Sequence, residues 1–444
     1  MLLWKRSLLF LFALVSLAPL SLHAAVNIFD LGAKGDCIAD DAPVINRTIH
    51  AMAFENGSVH SGSIYFPAPP GGCYLVKEPI ILPAPANEAF NVAITLVGDG
   101  RGVSVIKAGH AMDSVLQKDV NWNRGDTITD LTFDANGVAK HAISVLSGIE
   151  LRFTRIEGLN GTVDDLHFGG VANQFGGESF VTDSMFANYS TFPPYNIYLD
   201  TESTDNEFTN DVEINAKTAN IDETGGSNHF TANHAYGWPL QYCPEYSFVT
   251  AFTSLWIGNQ SDCSNQAAFL VNSWNTVVES NFIQGAANHA ICVSPEVGSN
   301  IITGNTSLFN NQNEPAGDAV VQGVMEGNQV SCQGPGVHTA TWANNLNYGV
   351  SNIVQNNWPE SNENLWDLLY TGPVNQAPAL GVGTPTPHAT LDVNGFARLT
   401  ANSAAPAACN ASNRGAIALN SSSRICTCDG QSWKLDSTGE LCHW

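Results

Sequence analysis

The spacing of apolar residues predicts one helix followed by many short strands. Between residues 44 and 53 the apolar side chains share one helical face. Asp40 or Asp41 precedes that stretch as a cap, and Pro43 suits the first turn. The chain then alternates short apolar stretches with Pro and Gly, which is typical of strands and turns. The first predicted strands are Ser63–Phe66, Tyr74–Val76, Ile80–Leu82 and Ile94–Val97.

The middle of the chain repeats. From about Met112 to Trp366, short β-type stretches are separated by Asn, Gly, Ser and Asp. The hexapeptide NEFTND at Asn206 returns as NHFTAN at Asn228, and related copies begin at Asn300 and Asn352. A period of about 20 to 30 residues predicts a solenoid of stacked coils. A regular leucine pattern is absent and propeller blades are longer, so the repeat favours a parallel β-helix.

Charge and composition exclude two classes of protein. The 444 residues include 41 acidic and 17 basic side chains, which gives a formal net charge of −24. A chain this acidic repels phosphate backbones, so we expect no nucleic-acid partner. Hydrophobic residues make up 44% of the chain, and it contains ten Trp, so intrinsic disorder is also disfavoured.

The first 24 residues have the three parts of a secretory signal peptide. Lys5 and Arg6 precede an apolar run over residues 7–20, and small residues stand at Ala24 and Ala25. An uncleaved membrane anchor is the alternative. We therefore expect a secreted or cell-surface protein, in which cysteines form disulfides. The sequence contains no Cys-x-x-Cys pair, which would have indicated a metal site. The disulfide candidates are Cys37, Cys73, Cys243, Cys263, Cys409, Cys426, Cys428 and Cys442.

Four segments near the start resemble a known superfamily. They are FDLGAKGD at 29–36, GSIYFP at 62–67, YLV at 74–76 and LVGDG at 96–100. Together they resemble the opening of pectin-lyase-like proteins, in the branch shared by phage tailspike depolymerases and polygalacturonase-related proteins. The resemblance implies a right-handed parallel β-helix that acts on polysaccharides. It leaves the reaction open, because hydrolases, lyases, epimerases and non-catalytic adhesins share this opening.

Two cysteines depart from the pattern of that superfamily. Cys37 stands where Gly is usual, and Cys73 lies in an expanded version of a compact Pro-x-Gly-x-Tyr motif. The comparison leads to the hypothesis of a Cys37–Cys73 disulfide. Asp36, Asp40 and Asp41 also lie here, and their place before a helix favours caps and turn ligands over a catalytic cluster.

The end of the chain carries a second, shorter resemblance. Residues 380–395 are similar to a segment that precedes C-terminal modules in tail-fibre-like proteins, where it often lies on a trimer axis. This implies a homotrimer through the C-terminal region. The predicted organisation is an all-β chain with a signal peptide at 1–24 and a parallel β-helix at 25–371, whose N-terminal cap and first coils span 25–111. A linker with the tail-fibre-like segment follows at 372–405, and a small Cys-rich module ends the chain at 406–444.

The repeat register suggests where chemistry takes place. Aligning Asn206 with Asn228 puts Asp200 beside Asp222 on the outer face, one coil apart. Such a pair suits a glycosidase, which needs two carboxyl groups about 5 to 9 Å apart. Asp200 and Asp222 are therefore the catalytic candidates, with Asp165 and Glu202 as substitutes. A solvated acidic face and a Ca²⁺ site are the alternatives for the same residues.

Neighbouring side chains complete the predicted site. In this register Tyr198, Asn220 and His167 lie close enough to bind substrate. Tyr236 and Trp238 open an aromatic segment that ends near residue 265 and could wall a groove. The partner is thus a polysaccharide, and no cofactor or metal is required. Ca²⁺ stays open because carboxylates and Asn carbonyls are hard oxygen ligands, whereas no histidine spacing diagnostic of zinc occurs.

Basic residues weigh against a uronate lyase. Between Glu157 and Ala397 the only Lys or Arg is Lys217, whereas a lyase needs several cations for the substrate carboxylate. Arg152 and Arg155 lie just before this stretch and could serve one subsite. A glycoside hydrolase acting on a neutral or weakly charged glycan is preferred. A non-catalytic glycan-binding or structural protein is the main alternative, and a calcium-dependent lyase is the weaker one.

Overall fold

A computed structural model describes the protein at residues 25–54, 61–84, 92–119, 124–169, 175–287, 289–294, 297, 299–308, 321–323, 353–355, 358–359, 380–382, 391–393, 399 and 401–444. The predicted signal peptide lies outside these residues. The chain forms two compact units, residues 1–376 and 377–444. Within the described residues, no helix has the length and apolar character needed to cross a membrane.

The first unit is the expected right-handed parallel β-helix, in which each coil contributes one strand to each of three sheets in turn. Sheet 1 has twelve strands: Val26–Asn27, Gly62–Phe66, Ile94–Gly98, Thr127–Thr129, Arg152–Thr154, Phe180–Thr182, Glu207–Thr209, His229–Thr231, Leu255–Ile257, Val277–Glu279, Ile301–Thr303 and Ile353–Gln355. Sheet 2 has eleven: Tyr74–Val76, Val105–Ala108, Thr132–Asp134, Glu157–Leu159, Met185–Ala187, Val212–Ile214, His234–Tyr236, Gln260–Ser261, Phe282–Gln284, Thr306–Leu308 and Trp358–Pro359. Sheet 3 has ten: Ile80–Leu82, Met112–Lys118, Ala139–Val145, Asp164–Phe168, Tyr195–Leu199, Ala219–Glu223, Tyr246–Thr250, Ala267–Val271, His289–Val293 and Val321–Gly323. Three short strands, Gly148–Ile149, Gly176–Gly177 and Ser203–Thr204, stack at the corner between sheet 3 and sheet 1.

The helix Ala42–Ala53 covers the N-terminal end of the coil, as the apolar pattern predicts. Its residues Ile45 and Ile49 are fully buried in the main core. Asp41 accepts hydrogen bonds from the backbone N–H groups of Lys34 and Gly35, and Asp40 accepts one from Ala42. These aspartates therefore order the turns around the helix. Cys37 and Cys73 form the disulfide that the sequence comparison suggested.

A two-residue corner between sheet 1 and sheet 2 explains the end of each asparagine-rich repeat, and the first asparagine of the repeat stacks in the corner before sheet 1, as in Asn206 and Asn228. The first residue of the corner between sheets 1 and 2 is left-handed in eight successive coils: Asp130, Arg155, Asp183, Asn210, Ala232, Gly258, Ser280 and Gly304. Its second residue points inward, and Asn233, Asn259, Asn281 and Asn305 are buried there. Each backbone N–H donates to the amide oxygen of the next coil, at 3.0 Å from Asn233 to Asn259 and 2.8 Å from Asn259 to Asn281. The ladder satisfies buried polar groups that an apolar residue would leave unpaired.

Aromatic side chains fill the interior behind sheet 1. The rings of Phe208 and Phe230 stack with centroids 5.1 Å apart, and Phe230 and Trp256 stack at 3.8 Å. All three are fully buried. This corrects the expectation that residues 236–265 form one aromatic excursion, because Phe248 and Trp256 belong to the core instead. Residues 237–245 form a corner loop, which the Cys243–Cys263 disulfide ties to the following coil.

The register in sheet 3 differs from the one that the repeat suggested. Asn206 and Asn228 stack with an offset of 22 residues, but Tyr198 pairs with Asp222 at an offset of 24. The corner after strand Tyr195–Leu199 is two residues longer than the corner after Ala219–Glu223, which absorbs the difference. Asp200 and Asp222 are therefore not stacked neighbours, and that prediction is wrong.

The second unit contains a four-stranded sheet, with strands Ala401–Asn402, Ile417–Asn420, Ile425–Cys428 and Trp433–Leu435, and a separate pair of strands, Leu380–Val382 and Leu391–Val393. Disulfides Cys409–Cys428 and Cys426–Cys442 select one of the three pairings open to these four cysteines. The rings of Trp433 and Trp444 meet edge to face with centroids 5.5 Å apart. The homotrimer expected from the second resemblance stays a prediction.

Candidate functional site

Six side chains on the outer face of sheet 3 form the candidate site. His141 lies in strand Ala139–Val145 and pairs in register with Asp164 on the next strand. His167, three residues after Asp164, pairs with Tyr198, and Tyr198 pairs with Asp222. Parallel, in-register strands stack equivalent side chains about 4.8 Å apart, so these residues form a continuous patch over four coils. Tyr195 completes it.

Asp164 is the centre of the first half of the patch. Its Oδ1 lies 2.6 Å from Nδ1 of His141, and its Oδ2 lies 2.9 Å from Nδ1 of His167. The carboxylate is completely buried, whereas each imidazole keeps 15% of its surface exposed. The two imidazole rings are 4.7 Å apart between centroids. A carboxylate that holds Nδ1 fixes the orientation of each ring.

Asp222 and two tyrosines make the second half. The rings of Tyr195 and Tyr198 stack at 4.9 Å, and Tyr198 lies 5.4 Å from the ring of His167. Burial raises the pKa of Asp222 to about 6, although a hydrogen bond from Tyr195 opposes the rise. Burial and the nearby Asp222 charge raise the pKa of Tyr195 to about 12. Asp222 can thus carry a proton in mildly acidic solution, as a general acid must.

The patch combines an acid, a base and an aromatic platform. Two strand spacings separate His167 from Asp222, which is roughly 10 Å between backbones. A sugar ring stacked on Tyr198 would lie between them. This arrangement can protonate a leaving group on one side and activate water on the other.

Two of the predicted site residues lie inside the coil instead. Asp165 is fully buried and accepts hydrogen bonds from Asn188 at 2.8 Å and Asn196 at 3.0 Å. Asn220 donates to Asn196 Oδ1 and to the carbonyl of Glu213. Both residues point inward because the chain bends at the start of each sheet 3 strand, so a residue expected to face outward lines the interior corner. Neither can meet a glycan.

The other predicted carboxylates lie in the corner after sheet 3. Asp200 follows strand Tyr195–Leu199 directly, and its Oδ1 accepts hydrogen bonds from the backbone and hydroxyl groups of Thr201. The carbonyl of Glu202 accepts the backbone N–H of Gly176 in the same corner. Both residues serve turn structure, so the geometry gives neither a place in the patch.

The remaining candidates are spread over other faces. Tyr236 lies in strand His234–Tyr236 of sheet 2, and Trp238 is 70% exposed in the corner loop between sheets 2 and 3. Arg152 and Arg155 lie on or beside sheet 1, where Arg152 contacts the ring of Phe180 and Arg155 is paired with Asp130. The cations that a lyase would recruit are therefore engaged away from the patch.

Of the six patch residues, the sequence pattern predicted Tyr198, His167 and Asp222 but did not predict His141, Asp164 and Tyr195. A signal for His141 and Asp164 exists, because AKHAI at 139–143 aligns with TVDDL at 162–166 in the register of sheet 3. This signal is hard to recognise because the bend at the start of the strand places residues three apart, such as Asp164 and His167, on one face. Strict alternation would place them on opposite faces.

Stacked coils with a polar and aromatic patch on one outer face define a pectin-lyase-like parallel β-helix protein. A family model described as rhamnogalacturonase A/epimerase, pectate lyase-like, matches residues 25–288, and the chain belongs to this family. No curated protein matches the chain in sequence.

Solved structures share the fold. The A-module of the mannuronan C-5 epimerase AlgE6 of Azotobacter vinelandii is 18% identical, with 67% of this chain and 79% of that chain covered and a TM-score of 0.51. ORF18 of Geobacillus virus E2 is 13% identical over 93% and 86% of the two chains, with a TM-score of 0.50. A mutant tailspike protein of E. coli bacteriophage HK620, in complex with a pentasaccharide, is 12% identical over 68% and 60%, with a TM-score of 0.51.

Proposed function

We propose that this protein is a polysaccharide hydrolase whose active site is the outer patch of sheet 3. The observation that carries the proposal is the pairing of a general acid with a base two strands away. Asp222, with a pKa of about 6, donates a proton to the leaving glycosidic oxygen. The base is supplied by the cluster of His141, Asp164 and His167, because an imidazole oriented by a carboxylate can act as a general base. Tyr195 and Tyr198 stack against the sugar.

The spacing favours hydrolysis with inversion. Inverting glycosidases separate acid and base by about 6.5–9.5 Å, which leaves room for water, whereas retaining enzymes hold them about 5–5.5 Å apart. His167 and Asp222 lie two strand spacings apart, roughly 10 Å between backbones, rather than the single spacing of about 5 Å that would suit a retaining pair. A neutral or weakly charged glycan fits, because Lys140, the cation beside His141, is already paired with Asp113 at 2.6 Å.

Export is part of the proposal. The structure contains disulfides in both units, at Cys37–Cys73 and Cys409–Cys428 among others. Such bonds persist in oxidising compartments, which supports a secreted or cell-surface location.

Glycan binding without catalysis is the second candidate. The stacked rings of Tyr195 and Tyr198 offer a platform that binds sugars whether or not a bond is cleaved. This second candidate predicts that the protein binds glycans but releases no cleavage product.

The deciding experiment is a product assay on a panel of neutral and acidic polysaccharides. Reducing ends and ultraviolet absorbance are followed together, and the anomeric configuration of the first product is read by NMR. We expect reducing ends without absorbance and with inverted configuration. Asp222→Asn should abolish them, and the matched control Asp200→Asn, one strand end away, should not.

Other outcomes would overturn the proposal. Ultraviolet absorbance from unsaturated ends would indicate elimination rather than hydrolysis. Equal activity of wild type and Asp222→Asn would show that the active site is not the patch on sheet 3. Saturable glycan binding without product across the panel would support the second candidate, a glycan-binding protein without catalytic activity.

A further inference from the structure

Three groups that bind transition metals converge at the N-terminal end of the patch. The ligand atoms of His141, Asp164 and His167 all lie within 4.8 Å of one another. Both histidines turn the same atom, Nδ1, towards the Asp164 carboxylate, at 2.6 Å and 2.9 Å. Two imidazoles and one carboxylate are a donor set of catalytic zinc sites and of other divalent transition-metal sites with open positions.

The burial of Asp164 calls for a positive charge. The carboxylate is 0% exposed, and within the described part of the chain its ion-pair partners are the two histidines. Buried charges in proteins are usually paired with other charges or coordinate metal ions. A divalent ion held by the same three groups would compensate the charge of Asp164.

Ser114 provides an independent observation. It pairs in register with His141 on the preceding strand and is fully buried. Among the described residues its Oγ has no hydrogen-bond partner, although buried hydroxyl groups in native proteins nearly always have one. A water or ion at the neighbouring cluster would provide the missing partner.

We propose that His141, Asp164 and His167 bind one divalent transition-metal ion, for which Zn²⁺ is the probe, with an open position towards the groove. The sequence shows no zinc motif because the ligands come from two strands of adjacent coils. Ion binding itself is independent of the proposed function. The role of the ion rests on that function: zinc-bound water has a pKa near 7, so it would replace imidazole as the base opposite Asp222.

The test is metal binding by tag-free, chelator-treated protein. Zn²⁺ binding is measured by calorimetry, and Co²⁺ is used as a spectroscopic probe of the ligand set. We expect one Zn²⁺ per chain at this site, with no competition from Ca²⁺, which prefers oxygen ligands. His141→Ala and His167→Ala should each lower the affinity at least about tenfold, since even loss of an outer partner of a ligand costs about 10–100-fold.

His234→Ala is the matched control. Its imidazole Nε2 lies 2.8 Å from Asp262 Oδ2, and in the described part of the chain no second histidine joins this pair to form a three-ligand cluster. Zinc affinity should not change in this variant. Thermal unfolding of each variant verifies that the coil is intact.

Two results would overturn the inference. One is the absence of saturable Zn²⁺ binding to intact protein, and the other is binding that survives both His141→Ala and His167→Ala unchanged. The test is separate from that of the proposed function. Zinc binding without glycan products would overturn only the hydrolase, and products without zinc binding would overturn only the metal site.

Discussion

At the residue scale, carboxyl groups have three different environments in this chain. Asp41 accepts hydrogen bonds from two backbone N–H groups in the N-terminal cap, and Asp222 is half-buried on the outer face of sheet 3. Glu223, the next residue after Asp222, points inward and is buried. Burial raises the pKa of Glu223 to about 7, against hydrogen bonds from Ser254 and Asn228 that favour its charged form. Adjacent residues thus differ in role because a strand alternates between solvent and core.

The first prediction concerns Asp222 as the general acid. An acid must be protonated, so the alkaline limb of kcat/KM should fall near pH 6. Tyr195→Phe removes a hydrogen bond that favours the charged carboxylate, so the limb should move to higher pH. Asp222→Asn should lower kcat/KM by at least about 100-fold. Measuring kcat/KM from pH 4 to 9 tests both, and an unshifted limb in Tyr195→Phe would contradict the assignment.

The second prediction concerns Glu223 and stability. Its pKa rises from 4.5 in the unfolded chain to about 7 in the coil, so folding favours the protonated form. The resulting stabilisation is complete below pH 4.5 and disappears as the pH rises through 7. A shift of this size corresponds to about 3 kcal/mol.

Urea unfolding at pH 5 and pH 8 provides the measurement. Wild type should be less stable at pH 8, and Glu223→Gln, which cannot ionise, should show a smaller difference between the two values. Glu207→Gln, an exposed residue of sheet 1, is the control and should keep the wild-type difference. Equal pH dependence in wild type and Glu223→Gln would show that Glu223 does not hold its proton.

At the element scale, the corner between sheets 1 and 2 limits local stability. The left-handed position of this corner is occupied by glycine in two of the eight coils, at Gly258 and Gly304. In the other six coils it is occupied by a residue with a side chain. A left-handed backbone costs an L-residue about 1–2 kcal/mol. The inward asparagines offset this cost, because each provides hydrogen bonds to the neighbouring coil. The corner is therefore strained at one position and stabilised at the next.

Exchange of residues at this corner gives the third prediction. Ala232 has φ of 58° and is exposed, so Ala232→Gly relieves strain at little loss of contact. After the greater entropy of glycine in the unfolded chain is subtracted, we expect about 0.5–1 kcal/mol of added stability. Gly258→Ala is the reverse change, where an added Cβ meets no atom within 4 Å, and should destabilise by a similar amount. Urea unfolding measures both, and effects of the same sign would contradict the argument.

At the scale of the whole molecule, the two units depend on different forces. The first buries stacked columns such as Phe208, Phe230 and Trp256 in one continuous core. The second has a small core of Ala418, Cys426, Cys428, Trp433 and Leu435. A domain this small usually needs disulfides to hold it. Bridges that span 19 and 16 residues provide them, at about 3 kcal/mol each.

The fourth prediction is that reduction unfolds the second unit first. With dithiothreitol, limited proteolysis followed by mass spectrometry should show early cuts within residues 401–444, while the coil at 124–287 stays protected. The double variant Cys409→Ser/Cys428→Ser should behave like reduced protein. Cys243→Ser/Cys263→Ser, which leaves the second unit's bridges intact, should not. Early cuts in the coil would contradict this division.

The sequence by itself determined the architecture. The period of the asparagine repeat specifies a coil, because a side-chain oxygen of one coil satisfies the buried corner N–H group of the preceding coil. The helix from Ala42 to Ala53 and the first strands follow from local apolar spacing. The turn-ordering role of Asp40 and Asp41 follows from their place before the helix. The motifs at 29–36 and 62–67 were sufficient for the superfamily. Each of these features depends on contacts near in sequence or repeated along it.

Only the tertiary structure decided which side chains meet at the site. A corner two residues longer after Leu199 than after Glu223 moved Tyr198, not Asp200, beside Asp222. A bend at the start of each sheet 3 strand turned Asp165 inward and left Asp164 between His141 and His167. Corner lengths and bends are set by how each coil packs on the last. A shift of one residue exchanges the inner and outer faces of a strand, so the sequence pointed to only three members of the patch, His167, Tyr198 and Asp222.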